Sequence, residues 1–426
     1  MKIQNPKEKY KQALSEAEAP FLGSRRELKQ FVSGALDLGE ELLISGAEVA
    51  RVEDTIRRLC LAYGAESVDV FTITSSVIVT ADFGEKGTVT QTRRISGLKY
   101  NLSAFEALNG LSRQACSNRM EPVLLRKELD RIAALPKYSY GQNCGIWAMI
   151  ASSFCIFFGG NGCDAFLSGC IAIVLFIIQS FLGRLRINGY FSTVLCSLLG
   201  GFLSNIVYEV YRESITVHPS MINIGIIMLL IPGIALTSAI RDMFSGDTIS
   251  GLLRFIEALV LSVAIAWGFA VMASPGSETA VVNPWVQLAA GIIGSLGFSL
   301  LFNVRGSRRL FWCAVGGGVA WGVVLLVQIA GGTEVAGYLA GSLVLTIYSE
   351  VMARLHYCPS TVYIAAATIP LIPGGSLYNT MRFAMDEMWS SFAAQGLRTL
   401  GYAILISAGI LIIHTIMTAY RAWKEQ

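Results

Sequence analysis

Two kinds of hydrophobic pattern follow one another along this chain, and the change falls near residue 140. Before it, apolar residues mark one face of short elements. Ser24-Arg25-Arg26-Glu27 has the spacing of a helix capping box, and Leu28, Phe31, Ala35, Leu38 and Leu42 then recur every three or four residues. The stripe resumes at Val49, Val52, Ile56 and Leu59, so one helix kinked at Ser45-Gly46 or two separate helices are expected, with Gly64 as the stop. Runs rich in Val, Ile and Thr at Ser67–Ile73, Ser76–Ala81 and Thr88–Ile95 read as strands, the last two joined by a turn at Asp82 to Gly87. Helices near Ser103–Ser117 and Pro122–Leu135 complete a small α+β unit.

After residue 140 the apolar stretches become long enough, or nearly so, to cross a hydrocarbon core of roughly 30 Å. Ten are counted, near 144–160, 163–182, 190–208, 217–240, 251–273, 284–303, 308–329, 333–351, 360–381 and 397–420. Glycines inside them, such as Gly200-Gly201 and Gly316-Gly317-Gly318, suit close helix packing in lipid. Basic residues set the orientation. With the N-terminus inside, cytoplasmic connections hold Arg184, Arg186, Arg241, Arg305, Arg308, Arg309, Arg354, Arg421 and Lys424. The outer ones hold Arg212 and Arg382, with Arg398 at the edge of the last span.

An internal repeat sharpens this layout. Pro232-Gly233-Ile234-Ala235-Leu236 followed by Arg241 matches Pro373-Gly374-Gly375-Ser376-Leu377 followed by Arg382, at an offset of 141. Glu209 and Glu350 fall at the same offset, and Pro219-Ser220 approximates Pro359-Ser360. The matched segments are spans four and nine, so each repeat holds five spans and the second must be inverted. Inverted repeats are common in secondary transporters, with the substrate at mid-membrane where they meet. Pro232 cannot donate to the Met228 carbonyl, nor Pro373 to that of Ile369. Freed carbonyls would suit a cation or ammonium, and the amides of each restarting helix a carboxylate.

Pro232, Gly233, Asn223, Arg241, Pro373, Gly374, Gly375, Asn379 and Arg382 are therefore the candidate substrate-binding residues. Arg241 also reads as a simple cytoplasmic anchor, and Asp386 is placed to pair with Arg382. Glu209, Glu257, Glu350 and Asp386 are candidates for proton coupling, because ionisable groups in spans are functional candidates by default. Glu257 also reads as an i,i+3 partner of Arg254. Asn205, Asn223 and Asn379 are explained equally well by helix–helix hydrogen bonds. In the first unit Gly46, Glu48, Arg51 and Glu53 form a polar motif, with Glu53/Arg57 and Asp54/Arg58 as i,i+4 pairs. Glu48 and Glu53 as an acid/base pair lack a nearby nucleophile or His, which favours a structural network.

Composition agrees with the pattern. Charged residues are 15% of the 426, hydrophobic residues 53%, and the mean hydropathy is +0.55. Of the 63 Asp, Glu, Lys and Arg residues, 38 precede position 140. The net charge of +3 is unremarkable and no basic block points to nucleic acid, so no nucleic-acid partner is expected. Met1 to Pro20 lacks the apolar core of a signal peptide, so a cytoplasmic first domain is expected. Nine Cys without C-x-x-C pairs and three scattered His (His218, His356, His414) suggest no disulfide framework or metal site.

The run Leu42 to Glu53, reading Leu-Leu-Ile-Ser-Gly-Ala-Glu-Val-Ala-Arg-Val-Glu, then Thr72-Ile73-Thr74-Ser75 and Arg93-Arg94-Ile95, resembles the bacterial threonine/serine exporter family. The order of parts does too, over about residues 28–420, in the form that fuses both halves in one chain. The resemblance implies export of a small polar metabolite, threonine or serine first, driven by the proton motive force and without a cofactor. Relatives of the split form are associated with dicarboxylate export. That leaves a succinate-like cargo as an alternative, in which Arg241 and Arg382 would matter most. A membrane-anchored hydrolase is a third reading, although no G-x-S-x-G elbow, Cys/His pair or metal cluster supports it. A passive channel is a fourth, against which stand the ionisable residues in the spans and the repeat.

The fold class expected is a polytopic all-α membrane domain of about ten transmembrane helices in a 5+5 inverted repeat, preceded by a cytoplasmic α+β domain. Its parts are a disordered N-terminus at 1–23, the α+β domain at 24–140, a first five-helix repeat at 141–275, and a second at 276–426 with a short cytoplasmic tail. The setting is the bacterial inner membrane with both termini cytoplasmic. Partners are the small polar metabolite, protons and membrane lipid, and the small-residue-rich spans leave room for a homo-oligomer.

Overall fold

The computed structural model describes residues 24–95, 97, 99–211, 213, 216–270 and 282–424. The expected disordered stretch 1–23, Arg212, the boundary at 275/276 and the Arg421 side chain lie outside what is described. The chain divides into two compact units, Met1–Pro136 and Lys137–Gln426.

In the first unit the kink at Ser45-Gly46 resolves into two helices, α1 (Arg25–Ile44) and α2 (Val49–Ala62). The capping box at Ser24 and Glu27 is formed, and Gly64 follows α2 at φ +93°. Strands β1 (Ser67–Ile73), β2 (Ser76–Asp82) and β3 (Thr88–Arg94) make an antiparallel meander in that order. Its register pairs Val70 with Val79 and Val79 with Gln91. Helices α3 (Leu102–Asn118) and α4 (Pro122–Ala133) follow. Val68, Val77, Val79, Ala81 and Val89 turn inward from the sheet, as alternation requires, and are buried with Leu28, Phe31, Leu38, Leu42, Ile56, Leu59 and Phe105 from the helices. Phe31 stacks on Tyr63 with ring centroids 4.1 Å apart.

The second unit is all helix: α5 (Tyr140–Phe157), α6 (Gly162–Arg184), α7 (Gly189–Tyr211), α8 (Pro219–Leu230), α9 (Gly233–Phe244), α10 (Thr248–Ala270), α11 (Pro284–Leu301), α12 (Ser307–Ile329), α13 (Glu334–His356), α14 (Thr361–Ala367), α15 (Gly374–Met385) and α16 (Trp389–Lys424). Seven of these are long and apolar enough to cross a membrane: α6, α7, α10, α11, α12, α13 and α16. The pairs α8/α9 and α14/α15 add two bent spans, which gives seven to nine among the described residues by length and composition. The remaining expected span is α5, whose first turn, Tyr-Gly-Gln-Asn, dilutes its apolar character. The outer surface carries Phe166, Phe181, Phe202, Val263, Trp267, Ile293 and Leu326, side chains suited to lipid.

Packing repeats across this unit. In the first half α5 packs on α6 and α8, α6 on α7 and α8, α7 on α8 and α10, and α9 on α10. In the second half α11 packs on α12 and α14, α12 on α13 and α14, α13 on α14 and α16, and α15 on α16. The halves meet through α5 with α11, α9 with α16, and α10 with α15. Small residues mark equivalent positions. A Cβ at Gly268 would meet Ser197 and Leu198, and one at Gly409 would meet Ser342 and Leu343. Gly268 and Gly409 differ by 141, whereas Ser197 and Ser342 differ by 145. This corrects the pairing of Glu209 with Glu350, because the connection before α14 is shorter than the one before α8. At the 145-residue offset Glu350 aligns with Asn205, and Glu209 with Arg354.

Candidate functional site

The two Pro-Gly breaks have nearly the same backbone. Pro232 caps α9 at φ −78°, ψ 46°, and Pro373 caps α15 at φ −76°, ψ 51°. The bend between α8 and α9 is 50°; in the second half the 43° bend falls at Thr368, between Thr361–Ala367 and the segment Ile369–Met385 that contains Pro373. Pro has no N–H, so the chain cannot continue the upstream helix through it, and a new helix starts at the following glycine. Pro232 O accepts from Leu236 N at 3.0 Å, and Pro373 O from Leu377 N at 2.9 Å.

These breaks lie against each other. A Cβ on Gly233 would collide with Ile372 Cγ2, and one on Gly374 would stand 2.5 Å from Met228 Sδ and 3.8 Å from Ile231 Cδ1. Ile231 and Ile372 are the residues before the two prolines, so the contact is reciprocal. Gly375 is pressed by Phe158, with Cε1 2.7 Å from a would-be Cβ. Glycine is required here by close approach rather than by backbone conformation.

One expected feature is corrected. The Ile369 carbonyl is not freed by Pro373, because a short 3-10 turn at Ile369–Leu371 lets it accept from Ile372 N at 3.1 Å. The first amides of α9 and α15 do lack an upstream helical carbonyl, although Gly374 N is occupied by Ile372 O at 2.7 Å.

Polar side chains gather unequally around the breaks. Beside α15, Ser376 Oγ lies 2.7 Å from Thr399 Oγ1 and accepts from Gln395 Nε2 at 2.9 Å, while Thr380 Oγ1 is 3.1 Å from Thr399 Oγ1. At the corresponding positions on the other side stand Ala235, Ala239, Arg254 and Ala258. There Arg254 Nη1 reaches Asp242 Oδ2 at 3.0 Å, and both side chains are buried. Arg254 is therefore tied to Asp242 in α9, and Glu257 is exposed on α10.

The other predicted residues scatter along these helices. Asn223 is buried in α8 and its Oδ1 has no hydrogen-bond partner. Arg241 is half-buried next to Asp242, and Asn379 is half-buried on α15 one turn before Arg382. Arg382 does pair with Asp386, at 3.5 Å. Glu209 is exposed, while Glu350 is buried with His414 Nδ1 4.0 Å away.

Sequence reasoning missed the pairs Asp242–Arg254 and Asp164–His218. The second had a readable signal: Asn161-x-x-Asp164 is a capping-box pattern, and His218 precedes a proline that starts a helix.

In the first unit the polar motif builds an elbow. Gly46 turns at φ +102°, and a Cβ there would meet the Tyr100 ring at 2.6 Å. Glu48 is the residue before α2, Arg51 lies over the Phe105 ring at 5.7 Å, and Glu53 Oε1 accepts from Thr72 N of β1 at 2.8 Å. Arg93 Nε binds Asp37 at 2.9 Å, and Arg58 binds Asp54 at 2.9 Å. Burial first, then the Asp37 and Glu41 carboxylates, pushes the Glu40 carboxyl above its usual range. No three His, Cys, Asp or Glu side chains among the described residues converge as metal ligands.

Apolar helices of membrane length, two of them broken at Pro-Gly and crossing between halves, define a multi-pass membrane protein. A family profile described as "Putative threonine/serine exporter" matches residues 33–275, and one described as "Threonine/Serine exporter, ThrE" matches residues 287–416. The first alone spans more than half the chain, and the protein belongs to the threonine/serine exporter family. A threonine/serine exporter of Corynebacterium glutamicum is 23% identical over 406 residues, covering 89% of this chain and 82% of that relative. A probable succinate transporter subunit, YjjP, from Klebsiella aerogenes is 25% identical over 53% of this chain and 86% of its own length. The subunit of the same name from Escherichia coli is 25% identical over 55% of this chain. No solved structure matches the chain. These are exporters and transporters, and the protein is a transporter rather than an enzyme.

Proposed function

We propose that the protein is a secondary active exporter of threonine and serine, driven by the proton motive force across the bacterial inner membrane. The observation that carries this is the reciprocal packing of the Pro232-Gly233 and Pro373-Gly374 breaks. Helices α5 to α10 and α11 to α16 act as five spans each, the second set inverted, with both termini and the α+β unit cytoplasmic. Substrate binds where the breaks cross, its carboxylate facing the first-turn amides of α9 and those of α15 beyond Gly374. The hydroxyls of Ser376 and Thr380 make the α15 side suited to a substrate that itself carries a hydroxyl. Buried Glu350 with His414 is a carrier for the coupled proton. Alternating access follows from rocking of the halves about their crossing.

Efflux of radiolabelled threonine, serine and succinate from preloaded cells tests this, with and without the protein and an uncoupler. Uncoupler-sensitive efflux of the amino acids is the expected result. Efflux of succinate alone would replace the cargo with a dicarboxylate, and efflux untouched by the uncoupler would remove the proton drive.

A further inference from the structure

Asp164 is fully buried, with 0% of its surface exposed. Its Oδ2 accepts from Asn161 N at 2.9 Å and faces His218 Nδ1 at 2.8 Å, while Oδ1 accepts from His218 N at 2.9 Å. An ionised carboxylate only accepts, so Nδ1 carries the hydrogen and Nε2 is the nitrogen that takes or yields a proton. The imidazole itself is 30% exposed. One end of the pair is therefore dry and immobilised, and the other reaches the surface.

Both residues stand at helix starts. Asp164 completes the capping box of α6, and His218 is the residue that leads into α8. Asn161 Nδ2 adds a bond to Thr216 O at 2.9 Å. The cluster thus ties α6 to α8, the upstream half of a broken span. Beside it Cys155, Ala165 and Met221 pack with Ile156 and Phe158, and Phe158 is the side chain that presses on Gly375 in the first turn of α15. A change at the pair is one packed side chain away from the second break.

Among the described residues, these titratable groups lie on the elements around it. α5 presents the Cys155 thiol, and α6 begins with the exposed Cys163. α7, which packs on both helices and reaches Pro219 O through Ser204, carries exposed Glu209 five residues further on. Exposed Glu213 lies in the connection leading to His218.

We propose that His218, held by Asp164, is a proton-binding residue of the transport cycle. This rests on the proton-driven reading above. A proton from the aqueous phase adds to Nε2, the neutral ring becomes an imidazolium paired with the Asp164 carboxylate, and loss of that proton returns the neutral ring. Nothing else is consumed or released. The two states hold α6 and α8 together with different strength, because an ion pair replaces a hydrogen bond from a neutral donor.

The test is threonine efflux from preloaded cells as external pH is varied at constant internal pH, comparing wild type with His218→Gln. Membrane abundance and thermal stability in detergent are measured in parallel. His218→Asn, whose side chain is a favoured helix cap, stands in if the Gln variant fails to accumulate. The expected result is a severalfold dependence of wild-type efflux on external pH, with the variant giving a lower and pH-flat efflux at unchanged membrane abundance and thermal stability. A variant that keeps the wild-type profile while the uncoupler still blocks wild-type efflux overturns the role of His218 alone. Wild-type efflux insensitive to the uncoupler overturns the proton-driven reading and this proposal with it.

Discussion

Gly233 and Ile372 come from opposite halves of the membrane unit, yet any side chain at Gly233 would collide with Ile372 Cγ2. The relation is nearly mirrored by Gly374, which meets Met228 and Ile231. Two helix starts, their amides and the surrounding hydroxyls are thereby brought to one crossing. The halves cannot move relative to each other without moving across these glycines.

Gly233→Ala and Gly374→Ala are expected to insert normally and to lower efflux about tenfold each, the equivalent of about 1.4 kcal/mol, within the usual cost of overpacking. Ile372→Ala should restore part of the loss in Gly233→Ala and none in Gly374→Ala, whose obstacle is Met228. A double-mutant cycle on efflux rates, corrected for membrane abundance, reads this out. Equal rescue of both variants would mean that the crossing is not packed in this way.

Asp242 and Arg254 form a buried ion pair, 4% and 3% exposed at the side chains of Arg254 and Asp242. Arg254→Met removes one charged partner from the buried Asp242 carboxylate and should destabilise the protein by about 3 kcal/mol, whereas replacing both as Asp242→Asn/Arg254→Met should recover most of that. Thermal unfolding in detergent distinguishes the two variants. A double variant as unstable as the single one would show that the pair is not what matters.

Gly46 holds φ +102° at the elbow between α1 and α2, with the Tyr100 ring against it. Alanine there faces a left-handed backbone cost of about 1–2 kcal/mol before any collision with the ring. Cys60 supplies the readout, because burial pushes its thiol up to about 12. The thiolate, which is the reactive form, is then scarce near neutral pH, and alkylation requires opening of the unit. Gly46→Ala should lower the urea concentration at which Cys60 in the full chain reacts with a maleimide.

Topology can be read from the native thiols. Cys163 is exposed at the start of α6, and Cys144 is half-exposed near the start of α5. If α5 runs from inside to outside, a membrane-impermeant maleimide added to intact cells labels Cys163 and spares Cys144. Labelling of Cys144 instead would invert the proposed orientation.

Much of the architecture can be read directly from residue order. Hydrophobic period separates the α+β unit from the membrane unit, because a helix wet on one face and a helix surrounded by lipid need different patterns. Capping at Ser24, the stop at Gly64, the three strands and both Pro-Gly breaks are local chemistry, acting over a few residues, and they appear where the chain writes them. Repetition of Pro-Gly-x-x-Leu with its Arg likewise needs no coordinates to be seen.

What depends on the fold is which distant groups meet. A constant offset paired Glu209 with Glu350, but the connection before α14 is shorter, and the contacts of Gly268 and Gly409 set an offset that aligns buried Glu350 with Asn205. The Ile369 carbonyl is satisfied by a local turn that Pro373 gave no reason to expect. Asp164 finds His218 54 residues away, and Gly233 finds Ile372 in the other half. Such contacts arise from packing, where burial forces each polar group to a partner and each small residue to a neighbour, and nothing in local spacing encodes the partner's place.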